Sequence, residues 1–105
     1  MLANILPLIL EWITINTHYD ASVFNFEVIE LSESELQALA CKGKCPVVAF
    51  FKPELGILIS KIDFEDICNQ SILLHEIIHA LQYLSESNLV DAFKEKEAYQ
   101  IQNKF

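Results

Sequence analysis

The chain has 105 residues, 52% of them hydrophobic, and a formal net charge of −8. This length suits one domain with a small core, and the hydrophobic content argues against an intrinsically disordered chain. All seven basic residues are lysines, and the acidic balance disfavours a nucleic-acid partner because phosphate binding needs a basic face. We therefore expect a single domain over residues 1–105 that binds no nucleic acid.

The sequence predicts neither a membrane span nor a secretory signal. No apolar run reaches the ~18 residues of a transmembrane helix. The apolar start, residues 1–10, lacks a basic leading region and is cut short by Glu11, unlike a signal peptide. We expect a cytoplasmic protein without a membrane partner, and its oligomeric state stays open.

Three cysteines, Cys41, Cys45 and Cys68, are an odd number, which argues against a disulfide framework. Free thiols are the first expectation, because thiols stay reduced in the cytosol. Two alternatives remain for Cys41 and Cys45. They can form a single bridge, or they can supply half of a metal site.

The first half of the chain predicts a helix, a strand and a second helix. Residues Leu2 to Ile15 are mostly apolar, with apolar side chains at helical spacing, and a short break follows. Alternating side chains over Val23–Ile29 predict a strand. The capping-box spacing of Ser32 and Glu35 predicts a helix that runs to about Cys41.

The second half predicts a hairpin followed by two helices, so the whole is an α+β arrangement with a small antiparallel sheet. Turn residues between two β-branched or aromatic runs indicate the hairpin. The predicted elements are a strand over Pro46–Phe51, a turn over Lys52–Gly56, a strand over Ile57–Ile62, a helix capped by Asp63 or Asp66 that ends near Ser85–Asn88, and a helix over Leu89–Lys104.

The first of these two helices carries the motif His75-Glu76-Ile77-Ile78-His79 within the apolar stretch Ile72–Leu84. Two histidines four residues apart lie on one helical face, so both can reach one Zn²⁺ at about 2.0–2.1 Å. Glu76 is rotated by about 100° from His75, where a base can take a proton from water on the metal. The motif predicts metal-assisted hydrolysis, above all of a peptide bond.

A metal-free helical core is the alternative interpretation of the motif. Backbone carbonyls would then satisfy His75 and His79, and a lysine would pair with Glu76. Burial of an unpaired glutamate costs several kcal/mol or forces its protonation. A metal on the histidines resolves this conflict more simply, so we favour it.

A catalytic zinc site needs a third protein ligand. A third histidine six residues after His79 is excluded, because Ser85 is at that position. The last helix offers Asp91, Glu95 and Glu97 instead. Glu97 lies four residues from Phe93 and from Ile101, on an apolar stripe that we expect to face inward. We therefore favour Glu97 over Glu95, which shares its face with Asp91 and Lys94.

The motif together with Glu97 resembles the gluzincin metallopeptidases, and the segment Glu95–Asn103 is similar to the last helix of small single-domain proteins of that kind. The resemblance covers residues 49–105 specifically. It implies a minimal zincin-like domain, with Zn²⁺ on His75, His79 and Glu97, and with Glu76 as the general base. It also implies that Ile57–Ser60 is the edge strand that pairs with an extended peptide or protein substrate.

Two departures from the gluzincin pattern keep other functions open. Gln100 and Ile101 replace the aspartate that orients the first histidine, so this bond must come from elsewhere, and Asn88, Asp91 or a backbone carbonyl could supply it. The donor to the oxyanion is also unassigned among His18, Tyr19, Tyr83 and Tyr99. The alternatives are a non-catalytic metal-binding or regulatory module, and a sensor that cleaves a single protein partner.

Overall fold

The computed structural model describes residues 2–41 and 47–105. Within these residues the chain forms four α-helices, one 3-10 turn and one three-stranded sheet, which confirms the α+β class. In chain order the elements are α1 (Leu2–Asn16), the 3-10 turn (Ala21–Val23), β1 (Val28–Leu31), α2 (Glu33–Cys41), β2 (Ala49–Lys52), β3 (Gly56–Ser60), α3 (Ile67–Leu84) and α4 (Asp91–Lys104).

The sheet is mixed, which corrects the prediction of an antiparallel sheet. Its order is β1-β3-β2, with β1 parallel and β2 antiparallel to β3. The central strand is therefore β3, and the prediction that Ile57–Ser60 forms the edge beside the cleft is wrong. The physical reason is the continuous apolar run Ile57–Ile59, which is buried throughout and suits a central strand.

Local side-chain bonds explain where several elements begin. Ser32 and Glu35 exchange backbone-to-side-chain hydrogen bonds of 3.2 and 3.3 Å, which confirms the predicted capping box. The Asp66 carboxylate accepts from the Cys68 N–H at 2.8 Å and caps α3. The Asp20 carboxylate accepts from the Ser22 N–H at 3.0 Å and closes the 3-10 turn. The 3-10 turn includes Val23, the first residue of the predicted strand Val23–Ile29, and β1 begins only at Val28.

Helix α3 lies at the centre of the core, because it packs on the sheet, on α1 and on α4. Its buried apolar residues cover both flanks of the motif, and the core continues into α1 and the central strand. Burial of this kind is the main source of folding free energy in a small domain. The motif helix is therefore held rigidly. The most buried apolar side chains include Ile9, Ile13, Ile57, Ile59, Leu73, Leu74, Ile77 and Ile78.

Two of the three cysteines, Cys41 and Cys68, lie within the described residues. Cys41 is disulfide-bonded, so the expectation of free thiols is wrong at that position. Cys68 is a free, exposed thiol. Cys45 and the predicted strand start at Pro46 lie outside the described residues.

Across residues 2–41 and 47–105, each helix is too short or too polar to cross a membrane.

Gly56 connects the turn after β2 to the central strand, and it has a φ of +110°. A Cβ at this position would collide with the backbone carbonyl oxygen of Glu27. We predict that Gly56→Ala lowers the free energy of unfolding by about 2 kcal/mol or more, because both the φ and the backbone contact oppose a side chain. Urea unfolding measures the change, with Glu54→Ala as the control in the same turn. An unchanged midpoint for Gly56→Ala would contradict this account.

Candidate metal centre

Three side chains from two helices converge on one point. His75 and His79 come from α3, and Glu95 comes from the first half of α4. The Glu95 Oε1 atom lies 2.9 Å from His75 Nε2 and 2.7 Å from His79 Nε2, and the two Nε2 atoms are 3.1 Å apart. The helical spacing of the histidines places them on one face as predicted, and the packing of α4 brings the carboxylate to them.

The carboxylate at this point belongs to Glu95, whereas the sequence favoured Glu97 as the third ligand. Glu97 does turn inward, but its Oε1 accepts hydrogen bonds from the Tyr19 hydroxyl and from Gln82 Nε2. The apolar stripe was a misleading guide, since Phe93 is 56% exposed whereas Ala98 is buried. The two glutamates therefore lie on different sides of α4. Glu95 lies beside the two histidines, and Glu97 lies beside Tyr19 and Gln82.

Gln82 forms a hydrogen bond with Nδ1 of His79, the ring nitrogen that faces away from the cluster. Its Oε1 lies 2.9 Å from His79 Nδ1, while its Nε2 donates to the Lys94 carbonyl at 3.0 Å and to Glu97 Oε1 at 2.9 Å. Two acceptors on the amide nitrogen leave only the amide oxygen to face the histidine. His79 Nδ1 must therefore carry a proton, so the neutral imidazole presents the lone pair of its Nε2 to the site.

Gln102 does the same for His75, where the gluzincin pattern has an aspartate. Gln102 Oε1 lies 2.9 Å from His75 Nδ1, and its Nε2 donates to Ser71 Oγ at 3.3 Å. The Ser71 hydroxyl in turn donates to the Cys68 carbonyl at 2.6 Å. None of Asn88, Asp91 and a backbone carbonyl fills this role. Sequence reasoning missed Gln102 because no helical spacing links it to His75 across 27 residues.

The donor set fits a zinc ion. With protons on both Nδ1 atoms, two imidazole lone pairs and one carboxylate oxygen face each other within about 3 Å, and acceptors this close repel unless a cation or protons lie between them. Two nitrogens and one oxygen match the ligands of a catalytic Zn²⁺ that keeps a fourth position open. Partial burial raises the pKa of Glu95, but hydrogen bonds and positive charge from protonated His79 and His75 outweigh it and lower the pKa overall, which describes the cluster with protons in place of a cation.

Glu76 lies beside this cluster and outside it. Burial raises the pKa of its carboxyl group to about 7, Glu95 adds to the shift, and the charge of His79 opposes it. A backbone hydrogen bond from Phe51 also lowers this pKa and ties Glu76 to strand β2. The carboxylate is therefore held next to the histidines, where it can accept a proton from a group bound at the cluster.

Two cavities of about 420 and 350 Å³ flank the cluster, one on the His79 side and one on the His75 side. They share Ala49, Glu76 and Glu95, so they are two halves of one cleft that runs past the cluster. Strand β2 forms one wall, and within the described residues its outer edge pairs with no other strand. The edge strand beside the cleft is thus β2, in place of the predicted Ile57–Ser60.

Two of the four residues considered for oxyanion stabilisation border this cleft. Tyr83 lines the His79 side, and Tyr99 lines the His75 side with its ring centroid 4.6 Å from that of His75. Tyr19 is buried and its hydroxyl is engaged by Glu97, an arrangement in which burial first and then Glu97 raise its pKa. His18 stacks on Tyr19 at 4.1 Å and lines neither half of the cleft.

No protein-family model, curated protein or solved structure matches this chain. The functional assignment therefore depends on the chemistry of the cluster and its cleft.

We predict that the purified chain binds one Zn²⁺ and that Glu95→Ala weakens this binding by about 100-fold or more, since a direct ligand should cost at least as much as an outer-shell partner. Isothermal titration with Zn²⁺ measures the affinity. Asp91→Ala, one turn earlier on the same helix and exposed, is the matched control and should bind as wild type. A larger loss for Glu97→Ala than for Glu95→Ala would reinstate Glu97 as the ligand.

A second prediction concerns the metal-free protein. Because the pKa of Glu76 rises from 4.5 to about 7 on folding, the folded state binds more protons than the unfolded state between these pH values. Its free energy of unfolding should therefore fall as the pH rises through this window. In chelator, wild type should lose roughly 1–3 kcal/mol relative to Glu76→Gln between pH 4.5 and pH 8.

Urea unfolding at several pH values measures this difference, with the exposed Glu11→Gln variant as the control. Comparison with Glu76→Gln cancels the titration of the two histidines and Glu95 to first order, since both proteins retain them. Parallel stability profiles for wild type and Glu76→Gln would contradict the assignment of a raised pKa to Glu76.

Proposed function

We propose that the protein is a zinc-dependent metallopeptidase of the gluzincin type, with His75, His79 and Glu95 as the metal ligands. The observation that carries this proposal is the convergence of His75 Nε2, His79 Nε2 and Glu95 Oε1 at the middle of an open cleft, with Glu76 beside them. A structural metal site would instead be closed by a fourth protein ligand. Among the described residues, the group of potential ligands contains three.

Bound Zn²⁺ would polarise the scissile carbonyl and make water a stronger nucleophile at neutral pH. The chain's own part in the reaction belongs first to Glu76, whose carboxylate accepts a proton from the attacking water. Glu76 then passes this proton to the nitrogen of the leaving amine as the C–N bond breaks. The contacts of Glu76 with Phe51 and the cleft hold it in position for both transfers.

An extended peptide is the substrate that suits this cleft. The Ser60 N–H donates to the Val48 carbonyl at 2.9 Å, so Val48 faces β3. Alternation along an antiparallel strand then turns the backbone groups of Ala49 and Phe51 toward the cleft. The Phe51 N–H is engaged by Glu76, which leaves the remaining edge groups to pair with a substrate backbone.

The His79 side of the cleft favours an apolar or aromatic substrate side chain. Phe51, Phe26 and Tyr83 form a cluster of three rings, in which the Phe51 centroid lies 4.9 Å from that of Phe26 and 5.8 Å from that of Tyr83, and the last two are 6.1 Å apart. Phe51, Pro53 and Tyr83 line this cavity. Such a surface binds apolar groups through the area that it removes from water. Tyr83 and Tyr99 are the candidate donors to the oxyanion, one on each side of the metal position.

We predict that Glu76→Gln retains Zn²⁺ and loses hydrolysis by at least about 100-fold, since the amide keeps the shape of the side chain and cannot accept the proton. A quenched-fluorescence peptide library measures turnover, with and without chelator, beside zinc stoichiometry. Glu65→Gln, an exposed change outside the cleft, is the control.

The outcomes separate the candidate functions. Equal turnover by wild type and Glu76→Gln would refute this mechanism. Tight zinc binding by wild type without turnover of any peptide, or of proteins from the same cell, would identify a non-catalytic metal-binding or regulatory module. Cleavage of a single protein with no turnover of the library would identify a dedicated partner as the substrate.

A further inference from the structure

We propose that Gln82 is a positioning residue for the metal centre, and that Glu97 and the Lys94 carbonyl set the direction of its amide. Gln82 then selects the tautomer of His79 that can bind metal. The inference rests on the metal site proposed above and deepens it. It gives Glu97 a role that is different from ligation, although both roles require an inward carboxylate.

The amide of Gln82 is buried in the core beside His79. Gln82 is 1% exposed and lies on α3 one turn after His79, among apolar neighbours. A buried primary amide needs partners for two N–H groups and one oxygen. The structure supplies all three, from Lys94, Glu97 and His79. A glutamine on the inward face of a core helix is therefore fully bonded only in this one arrangement.

The amide cannot be reversed without a large electrostatic cost. A reversed amide would place its oxygen against the Lys94 carbonyl and the Glu97 carboxylate, so acceptors would face acceptors at about 3 Å. It would also place an N–H group against His79 Nδ1, which would then have to be unprotonated. The proton would move to Nε2, the atom that faces Glu95 and His75. That tautomer cannot donate a lone pair to a metal from Nε2.

Glu97 owes its own position to Tyr19, whose hydroxyl donates to the same Oε1 atom that accepts from Gln82. Tyr19 lies just after α1 and is buried in the main core. The core thus holds Tyr19, Tyr19 holds Glu97, and Glu97 orients Gln82. This chain of contacts connects the N-terminal part of the fold to the tautomer of a metal ligand.

The test compares Gln82→Met, which keeps the length of the side chain and removes its polar groups, with Gln100→Met on the exposed surface of α4. Long-range ¹H–¹⁵N correlation spectra of the metal-free proteins above pH 8 report the tautomer of His79. We expect the Nδ1–H form in wild type and in Gln100→Met, and a loss of this preference in Gln82→Met. Zinc affinity should fall by about 10–100-fold in Gln82→Met alone.

A second pair of variants decides the question if Gln82→Met does not fold. Glu97→Gln keeps an oxygen that can accept from Gln82 and should bind Zn²⁺ nearly as wild type. Glu97→Met removes this acceptor and should bind several-fold more weakly. Circular dichroism melting curves identify the variants that are folded.

An unchanged tautomer and unchanged zinc affinity in folded Gln82→Met would overturn the proposal. If Gln82→Met does not fold, equal zinc affinities for folded Glu97→Gln and folded Glu97→Met would also overturn the proposal. Absence of zinc binding by wild type would refute the metal centre itself, whereas the tautomer of His79 in the metal-free protein would still test the role of Gln82. The two failures are therefore distinguishable.

Discussion

The packing of α4 along α3 is the constraint on which the rest of the site depends. α3 carries the two histidines at fixed helical spacing, but a pair of imidazoles alone is an incomplete site. α4 supplies the third atom of the cluster through Glu95 and the outer partner of His75 through Gln102. It also supplies the groups that orient Gln82, from Lys94 and Glu97. A shift of α4 would disturb all of these contacts together.

Hydrogen bonds join the polar groups around the histidines into a network. Without these bonds, burial of the polar groups would cost free energy. His75 and Gln82 are the polar residues buried among the described residues, and every buried side-chain nitrogen and oxygen in those residues has a hydrogen-bond partner. Networks of this kind are costly when partly satisfied and rigid when complete. The complete network has a chemical result, because it places an amide oxygen at each Nδ1 atom and directs both Nε2 atoms at one point.

The contrast between Glu95 and Glu97 shows how far helical periodicity can be used. An inward carboxylate needs a partner, and Glu97 is indeed bonded by Tyr19 and Gln82. Helical periodicity does not distinguish a protein partner from a metal. Glu95 is 54% exposed on the open side of the cleft, so burial is a poor criterion for finding the carboxylate of a cluster that lies in an open cleft.

The sequence by itself determined the helix that carries the motif, the capping box of α2, the hairpin of β2 and β3, and the placement of His75, Glu76 and His79. These features depend on residues that are close together in the chain. The local geometry of a helix, a cap or a turn is enough to determine which of these residues are in contact. The tertiary structure decided the order of the strands, the choice of Glu95, and the roles of Gln82, Gln102 and Tyr19. These depend on contacts between elements distant in the chain, whose relative positions result from packing of the whole core.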